Sequence, residues 1–278
     1  MILVDWKALC FVNFSAMGFD TTTPLQLKRR IYKKATEFQS AFEKEHGSLV
    51  FCLDNRSWRY KPFPLYKWKR QEDQKKSKVD WEYINLVVSE IQEEFEQNLP
   101  YRFVQANHAE ADDVIGTLVR QSKQKHVIVS RDKDFHQFVD NKRVWQYDHV
   151  EKGFVKVQDK EYALFELICR GDSSDGIPNI LSPIDTFKKK ERQKSLKSKL
   201  IEDLFEHRED LSTFLKNVEN GSTILKRFQQ NRTLIDLSRT PKSVQKAIVG
   251  SYKRQNPQEK MPNLSKYLKE HKITGTEF

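Results

Sequence analysis

SLVFCLD, residues 48 to 54, is a short apolar run that ends in an aspartate, and ILVD at residues 2 to 5 is another. Between them a helical pattern of apolar residues runs from Pro24 to about His46, which makes a strand, helix, strand unit. The pattern repeats with a helix near Asp80 to Asn98, a strand at Tyr101 to Gln105, a helix from about Ala109 to Lys123 and the strand HVIVS at 126 to 130. Strands alternating with helices predict an α/β fold, a mostly parallel central sheet flanked by helices. In open parallel sheets, sites form beyond the carboxyl ends of the strands. Asp5, Asp54, Asp132 and Asp134 fall at or just after such ends, so separate segments deliver acid to one edge. VWQYDHV and GFVKV read as a last hairpin, and helical segments dominate from Asp159 onward. The expected organisation is therefore an α/β core over 1–158 and a helical domain over 159–278.

AEADD at 109 to 113, SRDKDF at 130 to 135 and GDSSDG at 171 to 176 hold seven carboxylates within 66 positions of an otherwise basic chain. Each group has a local structural explanation. Glu110, Asp112 and Asp113 open a predicted helix, whose unpaired N–H groups favour carboxylates. Asp132 and Asp134 fit a helix N-cap and turn, and Asp172 and Asp175 fit a turn closed by Gly176 before Pro178. Together with Asp5 and Asp54, however, they amount to an accumulation of like charge that costs stability unless a cation removes the repulsion. At 100° per residue Glu110, Asp112 and Asp113 span about 160° of a helix, so they line one side of a cleft and do not all bind one ion equally. An oxygen-only donor set favours Mg²⁺ or Mn²⁺, because zinc sites use Cys and His at spacings absent here.

The 278 residues carry 49 Lys plus Arg against 39 Asp plus Glu, a formal charge of +10 and a pI near 9.3, which points to nucleic acid as partner. The three cysteines, Cys10, Cys52 and Cys169, lie among apolar residues with no paired spacing and read as core fillers in a reducing compartment. The apolar opening carries Asp5 and Lys7 and is too short to span a bilayer. These features predict a soluble cytoplasmic protein with no membrane partner, and no heptad repeat demands more than a monomer.

The stretch NRSWRYKPFPLYKWKRQEDQKKSKV, 55 to 79, interleaves nine Lys or Arg with Trp58, Tyr60, Phe63, Tyr66 and Trp68. Cations neutralise phosphates and aromatic faces stack on unpaired bases, the mixture expected of a single-strand channel. The alternative is an ordinary loop and amphipathic helix. Pro62 and Pro64 require the first half to be a loop. The Lys-rich run from Lys188 to Lys199 reads first as a solvated or disordered loop and second as a phosphate contact.

In this order and spacing, Asp5, LDN at 53 to 55, AEADD, SRDKDF and GDSSDGIPN resemble the structure-specific 5′-nuclease superfamily, which includes flap endonucleases and 5′-3′ exonucleases. DWE at 80 to 82 and NRTLIDL at 231 to 237 extend the likeness toward its bacteriophage ribonuclease H branch and over nearly the whole chain. The resemblance implies that Asp5, Asp54, Glu110 and Asp112 surround a first metal, with Asp113 acting through water. It places Asp132 and Asp134 between two metals and makes Asp172 and Asp175 the second-metal pair. It implies that the basic stretch, about 56–79, is the arch or bridge through which a 5′ single strand passes. Arg59, Lys67 and Arg70 would then be active-site cations, with Lys69 an alternative register for Lys67, and Arg56, Trp58, Tyr66, Trp68 and Lys69 would contact nucleic acid. The sequence departs from the family at GIPNILSPIDTF, which lacks the later glycines of the helix-hairpin-helix element. That argues against K⁺ binding and shifts duplex contact to Lys188, Lys189, Lys190 and the final helices.

The activity implied is hydrolysis of phosphodiesters at 5′ ends of duplexes, assisted by two Mg²⁺ ions. Substrates would be RNA primers on DNA, nicked duplexes and 5′ flaps, with a sliding clamp and a single-strand-binding protein as replication partners. A phage-encoded chain would work in the host cytoplasm. Two rivals remain at this stage. A PIN-type ribonuclease shares the parallel sheet but not the basic arch or helical C-terminal part, and a non-catalytic nucleic-acid-binding factor would carry the acids inertly.

Overall fold

In the computed structural model, which describes residues 1–273, six strands form one sheet in the order β3-β2-β1-β4-β5-β6. The strands are β1 (Ile2–Asp5), β2 (Leu49–Cys52), β3 (Arg102–Val104), β4 (His126–Val129), β5 (Val144–Asp148) and β6 (Gly153–Phe154). The first five pair in parallel and β6 returns antiparallel as the expected hairpin. The final TGTEF, 274 to 278, which as sequence reads as a frayed end or a short peptide for a partner, lies outside the described residues.

Side chains alternate across the parallel strands. Ile2, Val4, Leu49, Phe51, Phe103, Val127 and Val129 pack on one face against α1 (Trp6–Met17), α2 (Pro24–His46) and α4 (Trp81–Asn98). Trp6 anchors this layer, meeting Phe51, Phe95 and Phe103 edge-on at 5.2 to 5.9 Å. On the other face lie α5 (Ala111–Gln121) and α10 (Lys242–Arg254), which touch each other and strands β1, β2 and β3. Thr23 and Gln26 form a reciprocal capping box that fixes the start of α2 at Pro24. α1 has no counterpart in the sequence reading. It starts because Asp5 caps it, accepting the Ala8 N–H at 2.9 Å.

The chain divides into two compact units that are not continuous in sequence: an α/β unit of Met1–Ser57, Lys78–Lys156 and the segment from Pro241 on, and a helical unit of Trp58–Ser77 and Val157–Thr240. The division differs from a single cut at 158 for two physical reasons. Phe63 and Tyr66 of the basic stretch belong to the apolar core of the helical unit, which they share with α6 (Lys160–Arg170), α7 (Ser198–Glu206) and α9 (Gly221–Ile235). In the other direction, Val244 and Ile248 of α10 are buried, and the side chain of Gln255 at its end closes the sheet edge. Gln255 donates to the Phe103 carbonyl at 2.6 Å and accepts its N–H at 2.8 Å. α3 (Trp68–Lys76) and α8 (Leu211–Lys216) complete the helical unit, and α11 (Met261–Glu270) packs on α4. No described helix is long and apolar enough to cross a membrane.

His126 at the start of β4 is fully buried, and burial, then the neighbouring N-terminal amine, push its imidazole down to about 3. A folded-state value below the unfolded one means the unfolded chain takes up a proton first, so stability present above about pH 6.5 is lost as pH falls. We expect a loss of about 2 to 3 kcal/mol between pH 6.5 and 4.5 from this residue. Urea melts of wild type and His126→Gln across that range check it: the variant should show the shallower acid slope.

Candidate active site

In the α/β unit, the carboxylates are fixed by the strand ends that carry them. Asp5 ends β1, in register with Cys52 on β2. Asp54 lies two residues further along that second segment, and its Oδ1 accepts the Ala111 N–H at 2.9 Å, tying it to the first turn of α5. Asn55 N–H donates to the Ala109 carbonyl at 2.8 Å and strengthens the same link. Glu110 is the N-cap of α5, is 5% exposed, and accepts the Ser57 hydroxyl through Oε2 at 2.6 Å. Asp113, fully buried, accepts the Glu110 N–H at 3.0 Å and completes a reciprocal capping box. Burial pushes the Cys52 thiol well above its ordinary range, and the charges of Asp5 and Asp112 add to that push, so both carboxylates lie near this strand end.

Asp132 follows β4. Its Oδ1 accepts the Asp134 N–H at 2.9 Å and caps a short 3-10 turn, while its own N–H donates to Ser130 Oγ at 3.1 Å. Gln146 of β5 donates to the carbonyls of Ser130 and Asp132 at 2.9 and 2.7 Å, which holds this loop against the sheet. Asp5 and Asp132 line one cleft of about 410 Å³. Asp5, Asp54, Glu110, Asp112, Asp132 and Asp134 thus present carboxylates at the carboxyl ends of β1, β2 and β4 and the start of α5.

Those donors fit a hard divalent cation: all are oxygens, and their mutual repulsion needs positive charge. Among the described residues no group of three or more His, Cys, Asp and Glu side chains is placed to hold a metal ion by itself.

The helical unit holds the other acids. α6 ends at Gly171, and the loop to Ile177 is drawn together by Asp172, whose Oδ1 accepts Ser174 N–H and Oγ at 2.7 Å and Asp175 N–H at 3.3 Å. Asp175 in turn gathers the basic stretch. Arg70 pairs with its Oδ1 at 2.8 Å, the Tyr66 hydroxyl donates to Oδ2 at 2.8 Å, and Lys67 Nζ lies 3.9 Å from Oδ2. Lys67 N–H also donates to the Asp175 carbonyl at 2.7 Å, which holds Lys67 in the left-handed region at φ 57°. Burial raises the Asp175 carboxyl above its ordinary value, opposed by Lys67 and Arg70. Lys69 instead pairs with Asp73 one helical turn on, so Lys67 and Arg70 are the pair that meets an acid of the GDSSDG loop.

Two expectations for the basic stretch are corrected. Arg59, expected as an active-site cation, is 3% exposed, donates through Nε to the Leu234 carbonyl at 2.7 Å and stacks on Trp58 and Tyr66. Tyr66, expected to stack on nucleic acid, is 3% exposed in the helical core. Both residues fasten the stretch from below. Arg56, Lys69 and Arg70 are exposed, and Trp58, Lys67 and Trp68 are half-buried. Lys188, Lys189 and Lys190 are exposed, with Lys189 paired to Asp185, yet the run behind them is tethered and not a free loop. Gln193 accepts the Asn179 N–H at 2.6 Å, Asn179 donates to the Lys194 carbonyl at 2.8 Å, and Lys194 N–H reaches Ser182 at 2.9 Å.

Because Asp175 pairs with both Lys67 and Arg70, Asp175→Asn removes a negative charge that opposes phosphate at this stretch. We expect it to tighten binding of single-stranded DNA at low salt by about 3- to 10-fold and to steepen the salt dependence by about one to two counterions. Fluorescence anisotropy across a salt series reads both quantities.

The sequence reading missed Ser57, which supports Glu110, and Gln146, which supports Asp132. Both carry ordinary polar side chains in apolar or basic surroundings, and only the strand register reveals their partners. It also passed over Arg131, Lys133 and His149, which line the cleft with Asp5 and Asp132.

Residues 1–164 match the family model described as 5′-3′ exonuclease, N-terminal resolvase-like domain, and residues 159–275 match that described as T4 RNase H, C terminal. The chain is 26% identical over 275 residues to a ribonuclease H of Enterobacteria phage T4, covering 91% of this chain and 88% of that one. It is 29% identical over 165 residues to a flap endonuclease Xni of Shewanella sp. (strain ANA-3), covering 55% and 60%. Among solved structures, a T5 5′-exonuclease with bound divalent metal ions (zinc) superposes with TM-score 0.66 at 13% identity over 98% of this chain and 97% of the other. A bacteriophage T5 flap endonuclease in a pseudo-enzyme-product complex with DNA and metal ions gives 0.65 at 12% identity over 96% and 98%. The match of residues 1–164, more than half of the chain, to the first of these models shows that the chain belongs to the 5′-3′ exonuclease family.

Proposed function

We propose that the chain is a Mg²⁺-dependent 5′ nuclease that removes nucleotides from the 5′ end of a strand in a duplex. RNA primers on DNA, nicked duplexes and 5′ flaps are its substrates. The observation that supports this most is the delivery of carboxylates from four separate segments to one sheet edge, in a chain of charge +10. Asp5, Asp54, Glu110 and Asp112 would hold a first ion, with Asp113 acting through water and Asp132 and Asp134 contributing from the same sheet edge. Asp172 and Asp175 of the helical unit would hold a second. A bound divalent ion supplies a water of lowered pKa and charge neutralisation at the phosphate oxygens.

The protein groups do the rest. Ser57 and the Ala111 N–H hold Glu110 and Asp54 in fixed orientations, so the donor atoms are preorganised before substrate arrives. Lys67 and Arg70 bind non-bridging phosphate oxygens once Asp175 releases them, where their charge stabilises the transition state. Arg56, Trp58, Trp68 and Lys69 take the single strand, and Lys188, Lys189 and Lys190 the duplex backbone, with recognition resting on shape and backbone. The setting is lagging-strand maturation as a monomer, beside a sliding clamp and a single-strand-binding protein, in the host cytoplasm if the gene is a phage's.

Cleavage of three 5′-labelled substrates, an RNA primer on DNA, a nicked duplex and a 5′ flap, tests the reading. Short 5′ products that require Mg²⁺ and vanish with EDTA are expected. Binding without cleavage under every metal condition would overturn it.

A further inference from the structure

We infer that Asn179, Ser182 and Gln193 are positioning residues for duplex binding. They clasp the Lys-rich segment to the helical unit, so that Lys190, Arg192, Lys194 and Lys197 form one fixed surface for the phosphates of a duplex backbone. The inference rests on the nuclease reading above and adds these residues to it. The whole arrangement lies within the helical unit. By composition, a run as rich in Lys as 188 to 199 is extended and solvated, because its charges repel and few apolar side chains hold it. The observed segment has no helix or strand from 191 to 197, yet it is held in its middle and at its far end.

Asn179 is the centre of the clasp. It is 7% exposed, and both ends of its amide are engaged. Nδ2 donates to the Lys194 carbonyl at 2.8 Å, while Oδ1 accepts the Leu181 N–H at 3.1 Å and the Ser182 hydroxyl at 2.9 Å. The Asn179 N–H donates to Gln193 Oε1 at 2.6 Å, and the Lys194 N–H donates to Ser182 Oγ at 2.9 Å. Backbone groups of an irregular segment need partners, and a simple connecting loop leaves them to water. Here both backbone groups of Lys194 are taken by buried side chains. Leu181, Ile184, Leu196 and Leu200 pack against the helical core on either side of it. At the far end Arg170 Nη2 donates to Ser198 Oγ at 3.0 Å.

The cations left on the outside are uncompensated. Lys189 and Lys199 pair with Asp185 and Asp203, whereas Arg192, Lys194 and Lys197 are exposed with no ion-pair partner among the described residues. Lys197 stands at the N-cap of α7, where it makes no side-chain capping bond and the first turn carries no acid. A cation there opposes the helix dipole, and a phosphate beside it satisfies both. Lys75 first, then Lys76 and Lys190, hold the Glu72 carboxyl below its ordinary value, so Lys190 lies beside α3 and extends the basic face of that helix. Fixing like charges on one surface costs repulsion, which phosphates remove. A surface ordered before its ligand arrives also loses less freedom on binding.

Fluorescence anisotropy of a labelled nicked duplex and a labelled single strand, in EDTA and across a salt series, tests the inference on the full-length protein. Arg192→Ala combined with Lys194→Ala should weaken duplex binding about 10-fold and lower the salt slope by about two. Gln193→Ala, which removes one acceptor at a half-buried position, and Asn179→Ala should each lower the duplex slope by about one to two. Both should change single-strand affinity by less than about twofold. Removing the same two cations from Gln193→Ala protein should then weaken duplex binding by less than about threefold, because an unclasped segment no longer holds them in place. A clasp that only stabilises the fold gives additive losses instead. Additive losses, or an unchanged duplex slope in the cation variant, would overturn the inference. If Asn179→Ala does not fold, Gln193→Ala and the surface cation variants still decide. Wild-type protein that shows this coupling but cleaves nothing with Mg²⁺ sinks the nuclease reading and leaves the positioning role standing; cleavage with additive losses does the reverse.

Discussion

Asp132→Asn should lower the rate of cleavage by at least about 10³-fold while leaving affinity for a nicked duplex within about threefold. The asparagine keeps the shape of the side chain and retains an oxygen at Oδ1, so it can still accept the Asp134 N–H and cap the short turn after β4. What it removes is a negative charge on an exposed side chain that faces the same cleft as Asp5. Relief of like-charge repulsion should leave the melting temperature equal or slightly higher. A structural role would therefore show as lost stability with activity retained, and a metal-holding role as the opposite pattern. Asp113→Asn supplies the contrast, because Asp113 is fully buried and its Oδ2 is committed to the Glu110 N–H at 3.0 Å. That variant should lose activity far less steeply; its amide oxygen can still accept the Glu110 N–H, so the capping box persists and only the charge assistance of that bond is lost, for a small loss of stability. Single-turnover cleavage with Mg²⁺ and thermal melts of both variants give the comparison. Cleavage by Asp132→Asn within tenfold of wild type would remove Asp132 from the metal-holding set.

The strand-end aspartates were legible because their signal is local. An apolar run followed by Asp requires only the two-residue period and the chain direction, and the parallel sheet then brings Asp5, Asp54, Asp132 and Asp134 to one edge. The start of α2 was legible for the same reason, since Thr23, Pro24 and Gln26 specify it within four residues. The basic stretch was legible in composition and not in orientation. Counting cations and aromatics does not say which face inward, and Arg59 and Tyr66 turned inward because partners far along the chain, the Leu234 carbonyl and Asp175, satisfy their polar atoms. Likewise α10 reads as one more helix of the C-terminal part. Only the pairing of Gln255 with both backbone groups of Phe103 shows that it closes the sheet edge. The run after Lys190 looked free because Lys dominates it, yet the two amide side chains of Asn179 and Gln193 suffice to tie it down.

Gly171→Ala should destabilise the helical unit by at least about 3 kcal/mol, enough to unfold it at moderate temperature. Gly171 has φ +67°, which an L side chain rarely adopts, and a Cβ there would lie 2.3 Å from the Ile177 carbonyl oxygen and 2.5 Å from that of Pro178. Both neighbours are backbone atoms and cannot swing away as a side chain would. Nor can the loop drift outward cheaply. Ile177 N–H donates to the Asp172 carbonyl at 2.7 Å, and the buried amide of Asn231 donates to the carbonyls of Ile168 and Pro178 at 3.0 and 2.8 Å, sewing the loop to the end of α6. A displaced loop would carry Asp172 and Asp175 with it and break the contacts to Tyr66, Lys67 and Arg70. Gly47 provides the control, because it too has positive φ, +81°, but a Cβ there meets nothing within 4 Å. Gly47→Ala should therefore cost only the backbone strain, about 1 kcal/mol. Denaturant melts of the two variants separate strain from collision: if both lose the same small amount, the close approach of the 171 to 178 loop to the end of α6 is wrong.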